Sequence, residues 1–216
     1  MKEFIHFVKH PKLDKIQKVD FTILLKLFIF YIITSVFLGI ISAIVTKIFN
    51  LNHSISLSSP YKTVLIGVFL APIYEELLFR SLLRLNRLTI TFFLTTLICL
   101  TIISFINNKY SFFYILLSVL LISLTIVWIS KLSTLKEINK NYFSYSYYFS
   151  SLLFGLIHLF NFSGDLVPII AFALLLVSPQ IILGLILGFI RIKFGLAYAI
   201  LFHAIINLSI VFTLFK

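Results

Sequence analysis

Acidic residues are scarce in this chain. Seven Asp and Glu stand against 18 Lys and Arg in 216 residues, and charged residues of both signs make up only 12%. A soluble domain carries about 25% charged residues, so the sequence cannot cover a globular surface with polar side chains. Cysteine occurs once, as Cys99, which excludes an intrachain disulfide and any paired-cysteine redox or zinc motif. There is no phosphate-binding glycine loop and no HExxH. No nucleic-acid motif accompanies the net charge of +11. That charge reads as basic loops facing anionic lipid. What fills the chain instead is apolar: 61% hydrophobic residues, 25 phenylalanines and a mean hydropathy of +1.12. Against the 45–50% apolar content of ordinary domains, this predicts an all-α, polytopic integral membrane protein. The lipid bilayer is its expected partner.

Apolar stretches at about 21–49, 61–81, 88–106, 111–130, 143–162, 166–190 and 194–215 predict seven spans, and six to eight fit the length. The sixth holds Pro168 and Pro179 and is expected to be kinked or broken. Residues 1–20, with Lys2, Lys9, Lys12, Lys15 and Lys18, read as a cytoplasmic, interfacial lead-in rather than a signal peptide. Residues 21–216 then form one transmembrane domain. On one side of the alternation lie those five lysines, Arg80, Arg84, Arg87, Lys131, Lys136, Lys140, Arg191 and Lys193; the other side has Lys47, Lys62, Lys109 and Lys216. This bias places the N-terminus inside and the C-terminus outside. Gly184 and Gly188 fit a small-xxx-small contact between helices, and 107–109 a turn.

Charge inside a span is costly, roughly 2.5–3.5 kcal/mol per residue on insertion scales. Yet "APIYEELLFR", residues 71–80, places Glu75, Glu76 and Arg80 in the second span. Glu76 and Arg80 are i,i+4 and share a helix face, so they are expected to pair. Glu75 points about 100° away and is expected to be free, as a general base would be. His203 and Asn207, also i,i+4, project from the last span and could donate to one oxyanion. His158 is a lone intramembrane histidine in "FGLIHLF". Each group has a plainer reading as an ion-pair cluster or interhelical hydrogen-bonding glue. Intramembrane acids and histidines also mark proton-coupled transporters. Against a transporter, no inverted repeat is evident. A non-catalytic immunity or scaffold protein is a third class.

Glu75-Glu76-x-x-x-Arg80, Phe154-x-x-x-His158 and His203-x-x-x-Asn207, in that order, resemble the three motifs of the CAAX prenyl protease and bacteriocin-processing (CPBP, or Abi) family. The approach "GLILGFIRIKFGLAYAILFHAIIN" is similar to that family's final stretch, and the resemblance covers about residues 61–210. It implies an intramembrane endopeptidase acting on a membrane-associated peptide or protein. On that resemblance Glu75 activates water, His158 assists it, and His203 and Asn207 stabilise the oxyanion. The family is also labelled metalloprotease. Glu75, His158 and His203 could supply three zinc ligands, although the preferred reading needs no cofactor. The expected location is the plasma membrane of a bacterium. One departure from the pattern is length. Residues 81–157 separate the first two motif ends, and the apolar segments within 88–130 read as an inserted two-span hairpin. Along the helix axes His158 is expected about 7 Å farther out than Glu75 and His203.

Overall fold

The computed structural model describes residues 1–53, 64–106 and 132–214, with isolated positions at 117, 119, 123 and 126 between them. The predicted fourth span, 111–130, and the turn at 107–109 lie outside the described residues or nearly so. The architecture is all-α: helices α1 (Lys2–Lys9), α2 (Phe21–Ile48), α3 (Ala71–Phe79), α4 (Arg87–Ile106), α5 (Leu132–Leu156), α6 (Leu166–Ala171), α7 (Ala173–Leu176), α8 (Ser178–Lys193) and α9 (Leu196–Leu214). A π-helical segment, Val64–Leu70, leads into α3, and 3-10 turns follow α3 (Ser81–Leu83) and α5 (Ile157–Asn161). A two-residue antiparallel pairing of β1 (Asn52–His53) with β2 (Phe162–Ser163) is the one sheet contact among the described residues. The ring of His53 rests 4.8 Å from that of Phe162, and burial there draws the His53 imidazole below its ordinary pKa.

Asp20 starts α2 by accepting hydrogen bonds from the backbone N–H groups of Thr22 and Ile23. The helix then runs 28 residues, about 42 Å at 1.5 Å per residue. Leu27 and Tyr31 enter the core, while Leu25, Ile29, Ile33, Val36, Phe37, Ile40 and Ile44 stay exposed. An exposed apolar face of this length is what lipid covers. By length and composition, α2 is the one described helix that could cross a membrane on its own. The second predicted span joins the π-helical segment to α3 rather than running as one α-helix. The predicted sixth span is three helices, not one. The chain leaves helical geometry at Phe172 and Val177, and Pro179 sits in the first turn of α8, where its missing N–H is harmless. The connection expected at 131–142 is also corrected. From Leu132 onward it is helix, because hydropathy marks what lipid covers and not where the i→i+4 ladder begins. Asn139 on that stretch is buried, accepting from Leu85 N–H and donating to the Leu83 carbonyl.

Helix α8 is the centre of the bundle. Leu183, Ile186, Leu187 and Ile190 pack with Phe154, Phe202 and Ile206. Gly188 faces the ring of Tyr147, and Gly184 lies flat on the backbone of Ser151. At Gly195, φ +105° lets the chain turn out of α8, with the Phe194 and Gly195 N–H groups both donating to the Ile190 carbonyl, and re-enter as α9. A Cβ on Gly184 would stand 2.9 Å from the Ser151 carbonyl oxygen, and backbone cannot swing aside. Gly184→Ala is therefore expected to lower stability by about 1–3 kcal/mol, the usual range for overpacking. A melting curve in detergent checks it.

The N-terminal segment is docked on the bundle. Phe4 is buried among Leu27, Tyr31 and Phe189, and the Phe7 ring contacts those of Phe143, Tyr147 and Phe189. Tyr148 donates to the Val8 carbonyl and Ser144 to the Pro11 carbonyl. Gln17 N–H donates to the Lys193 carbonyl, Arg84 to the Asp14 carbonyl, and Lys193 pairs with Glu3. Residues 1–17 thus form a strap across one end of α5 and α8.

Candidate active site

The six candidate polar residues sit on three elements. Glu75, Glu76 and Arg80 come from α3 and its C-cap, His158 from the 3-10 turn after α5, and His203 and Asn207 from α9. Helix α3 packs against both α5 and α9, which brings the motifs together.

Glu76 and Arg80 are both wholly buried, with Arg80 Nε 3.6 Å from Glu76 Oε2, as the i,i+4 spacing implies. The guanidinium is held further by Ser150. Arg80 Nη1 donates to Ser150 Oγ at 3.0 Å, and Ser150 Oγ donates to the Phe79 carbonyl at 2.6 Å. The carbon of the guanidinium stands 4.6 Å from the centre of the Phe154 ring, a cation–π contact. Ser150 and Phe154 are one helical turn apart on α5, so a single face of that helix seats Arg80.

His203 joins the two glutamates. Its Nδ1–H donates to Glu76 Oε1 at 3.1 Å, and its Nε2 lies 3.6 Å from Glu75 Oε2. Glu75 is therefore not free, as helical spacing alone suggested. It points away from Arg80 but toward a partner on another helix. Its side chain is 29% exposed while those of Glu76 and His203 are buried. Of the two carboxylates, Glu75 is the one that a substrate or water can approach.

His158 lies in the 3-10 turn after α5, four residues beyond Phe154. Its Nδ1–H donates to the Phe154 carbonyl at 2.7 Å, which fixes the tautomer and leaves the lone pair on Nε2. The ring of His158 lies 5.1 Å from that of Phe154, and the ring of His203 lies 5.6 Å from the same phenyl group. Phe154 thus contacts both histidines. Asn207 donates from Nδ2 to the Gly67 carbonyl at 2.8 Å. That carbonyl belongs to the π-helical segment, and the bond ties α9 to the entry into α3. The second N–H of the Asn207 amide is not used in that bond.

Among the described residues, no three His, Cys, Asp or Glu side chains converge as a metal-binding group. Glu75, His158 and His203 do not form such a set. Sequence reasoning missed Ser150, and it missed Phe154 as the wall shared by Arg80 and both histidines. The signal for both lay in "SSLLFGLIH", where Ser150, Phe154 and His158 recur every fourth residue. On α4, Thr91, Thr95, Thr96 and Thr101 bond to carbonyls of their own helix and send nothing to this cluster.

No curated protein and no solved structure matches the chain. A family model does match residues 57–209, and its description is type II CAAX prenyl endopeptidase Rce1-like. That interval contains all six polar residues of the cluster and most of the helices that position them. The chain belongs to the Rce1-like family of type II CAAX prenyl endopeptidases, a family of membrane-embedded helical proteases.

Proposed function

We propose that this protein is an intramembrane endopeptidase that hydrolyses a peptide bond of a membrane-associated peptide with a glutamate-activated water. The observation that carries the reading is His203 set between a buried, arginine-paired carboxylate and an accessible one. Glu75 takes the proton of the attacking water. His158, with its Nε2 lone pair available, orients that water or shares its proton. Anchored on Glu76 through Nδ1, His203 presents its other ring nitrogen, Nε2, on the Glu75 side. There it and the second Asn207 N–H are the donors available to the tetrahedral oxyanion. The proton on Glu75 then goes to the leaving amine, which restores the carboxylate. Arg80 holds Glu76 in place. A positioned base typically contributes about 10²–10⁴-fold and one oxyanion donor about 10²–10³-fold.

The same reading includes a seven-span chain with the N-terminus and strap cytoplasmic, and the segment within 88–130 as a peripheral insertion. It follows that Asn86→Cys in a Cys99→Ser background should resist an impermeant thiol reagent added outside intact cells and react after permeabilisation. Labelling from outside would invert the topology. The function itself is tested with purified protein in liposomes, given a prenylated CAAX peptide or a bacteriocin-leader peptide. Cleavage is expected. Proton-driven flux without cleavage would favour a carrier.

A further inference from the structure

Glu76, Arg80 and Arg84 lie i, i+4, i+8 along α3 and the 3-10 turn that extends it, a rise of roughly 12 Å. The polar atoms of this stripe are short of hydrogen bonds. Glu75 Oε2, Glu76 Oε2, Arg80 Nε and Nη2, Ser81 Oγ and Arg84 Nε are all closed off from the surface, and none makes a hydrogen bond to protein. Gln180 Oε1 is the only other such side-chain atom among the described residues, and it is on a different helix. The pattern is therefore local to residues 75–84. Glu75 Oε2, Glu76 Oε2 and Arg80 Nε each stand 3.6 Å from an ion-pair partner, but Arg80 Nη2, Ser81 Oγ and Arg84 Nε have no partner, and burying a polar atom without one is unfavourable enough to call for solvation.

The neighbours show where the row begins and ends. Arg191, buried on α8, donates from Nε to the Arg80 carbonyl at 3.2 Å and adds a third guanidinium beside Arg80 and Arg84. Arg84 reaches the strap end of the bundle, donating to the Ile192 carbonyl at 2.8 Å and to the Asp14 carbonyl. Asp14 itself is exposed. At the other end the row stops at Glu75. Donors on Arg84, Ser81 and Arg80 are followed by acceptors on Glu76 and Glu75, so a file of waters along the row meets donors at the strap end and acceptors at the Glu75 end, and each buried water makes about three hydrogen bonds.

We infer that Arg84, Ser81, Arg80 and Glu76 line a water path from the strap end of the bundle to Glu75. The use of that water rests on the peptidase reading. Each peptide bond cleaved consumes one water, and a site walled by Phe79, Phe154 and lipid-facing helices must be refilled once per turnover. The path supplies it from the strap end of the bundle.

X-ray radiolytic footprinting of the parent protein in detergent tests the path directly, because radicals form from waters bound beside buried side chains. Arg80 and Leu83 are as buried as Leu187 and Ile190 in the dry core. Oxidation of Arg80 and Leu83 is expected at least fivefold faster than oxidation of Leu187 and Ile190. Equal rates at all four would overturn the path. Ser81→Leu, which fills the row, should lower kcat at least tenfold at unchanged KM and slow oxidation at Arg80. Full kcat with slowed oxidation would remove the path from the reaction. The footprint does not require cleavage. Fast oxidation in a protein that cleaves no peptide would leave the path standing and sink the peptidase reading instead.

Discussion

Glu75→Gln should leave the melting curve of the detergent-solubilised protein unchanged and lower peptide cleavage by about 10²–10⁴-fold, the contribution of a positioned general base. The amide has nearly the shape of the carboxylate but cannot accept the water's proton. Stability should hold because Glu75 is partly exposed and is not the partner of Arg80, whose ion pair is with Glu76. The contact from His203 Nε2 is 3.6 Å, long for a hydrogen bond, so little binding is lost with the charge. A variant that still cleaves at near the parent rate would take the base role away from Glu75.

The neighbouring glutamate should behave in the reverse way. Glu76→Gln removes the charge that faces Arg80 inside a region where neither side chain touches solvent. Removing one member of a buried pair costs roughly 3–5 kcal/mol, because the other charge stays buried and uncompensated. The melting temperature should fall on the order of 10 °C. The double variant Glu76→Gln/Arg80→Leu should recover part of that loss, since no lone charge remains. Activity should also fall in the single variant, because the carboxylate that holds His203 Nδ1 at 3.1 Å has lost its charge. Melting curves and cleavage rates for Glu75→Gln and Glu76→Gln therefore separate the two residues. A stable but inactive Glu76→Gln would exchange their roles.

The Glu76–Arg80 pair was legible in the sequence because it is local. An i,i+4 spacing within one helix fixes which side chains share a face, whatever the tertiary fold. The break in the sixth predicted span was legible for the same reason, from Pro168 and Pro179. What joins elements was not. Nothing in the spacing of His203 and Asn207 says that the first bridges two glutamates 127 and 128 positions earlier, or that the second bonds to the Gly67 carbonyl. Those partners are set by how α3 packs between α5 and α9. The start of α5 was missed because Lys136, Glu137 and Lys140 end an apolar run without ending a helix. The strap left a trace that composition alone hides. Phe4, Phe7 and Val8 sit at helical spacing among the lysines, and Phe4 is what α1 buries. The order of the three motifs carried the family, and the family model over residues 57–209 agrees with it.

The central claim is that water, activated at Glu75, is added across a peptide bond inside the bundle. The most direct measurement supplies purified protein in liposomes with a prenylated CAAX peptide in ¹⁸O-labelled water and weighs the products. The account predicts that the new C-terminal carboxyl carries ¹⁸O in the parent and that the Glu75→Gln protein releases this product about 10²–10⁴-fold more slowly. An intact peptide with the parent protein, beside proton flux that Glu75→Gln removes, would contradict it.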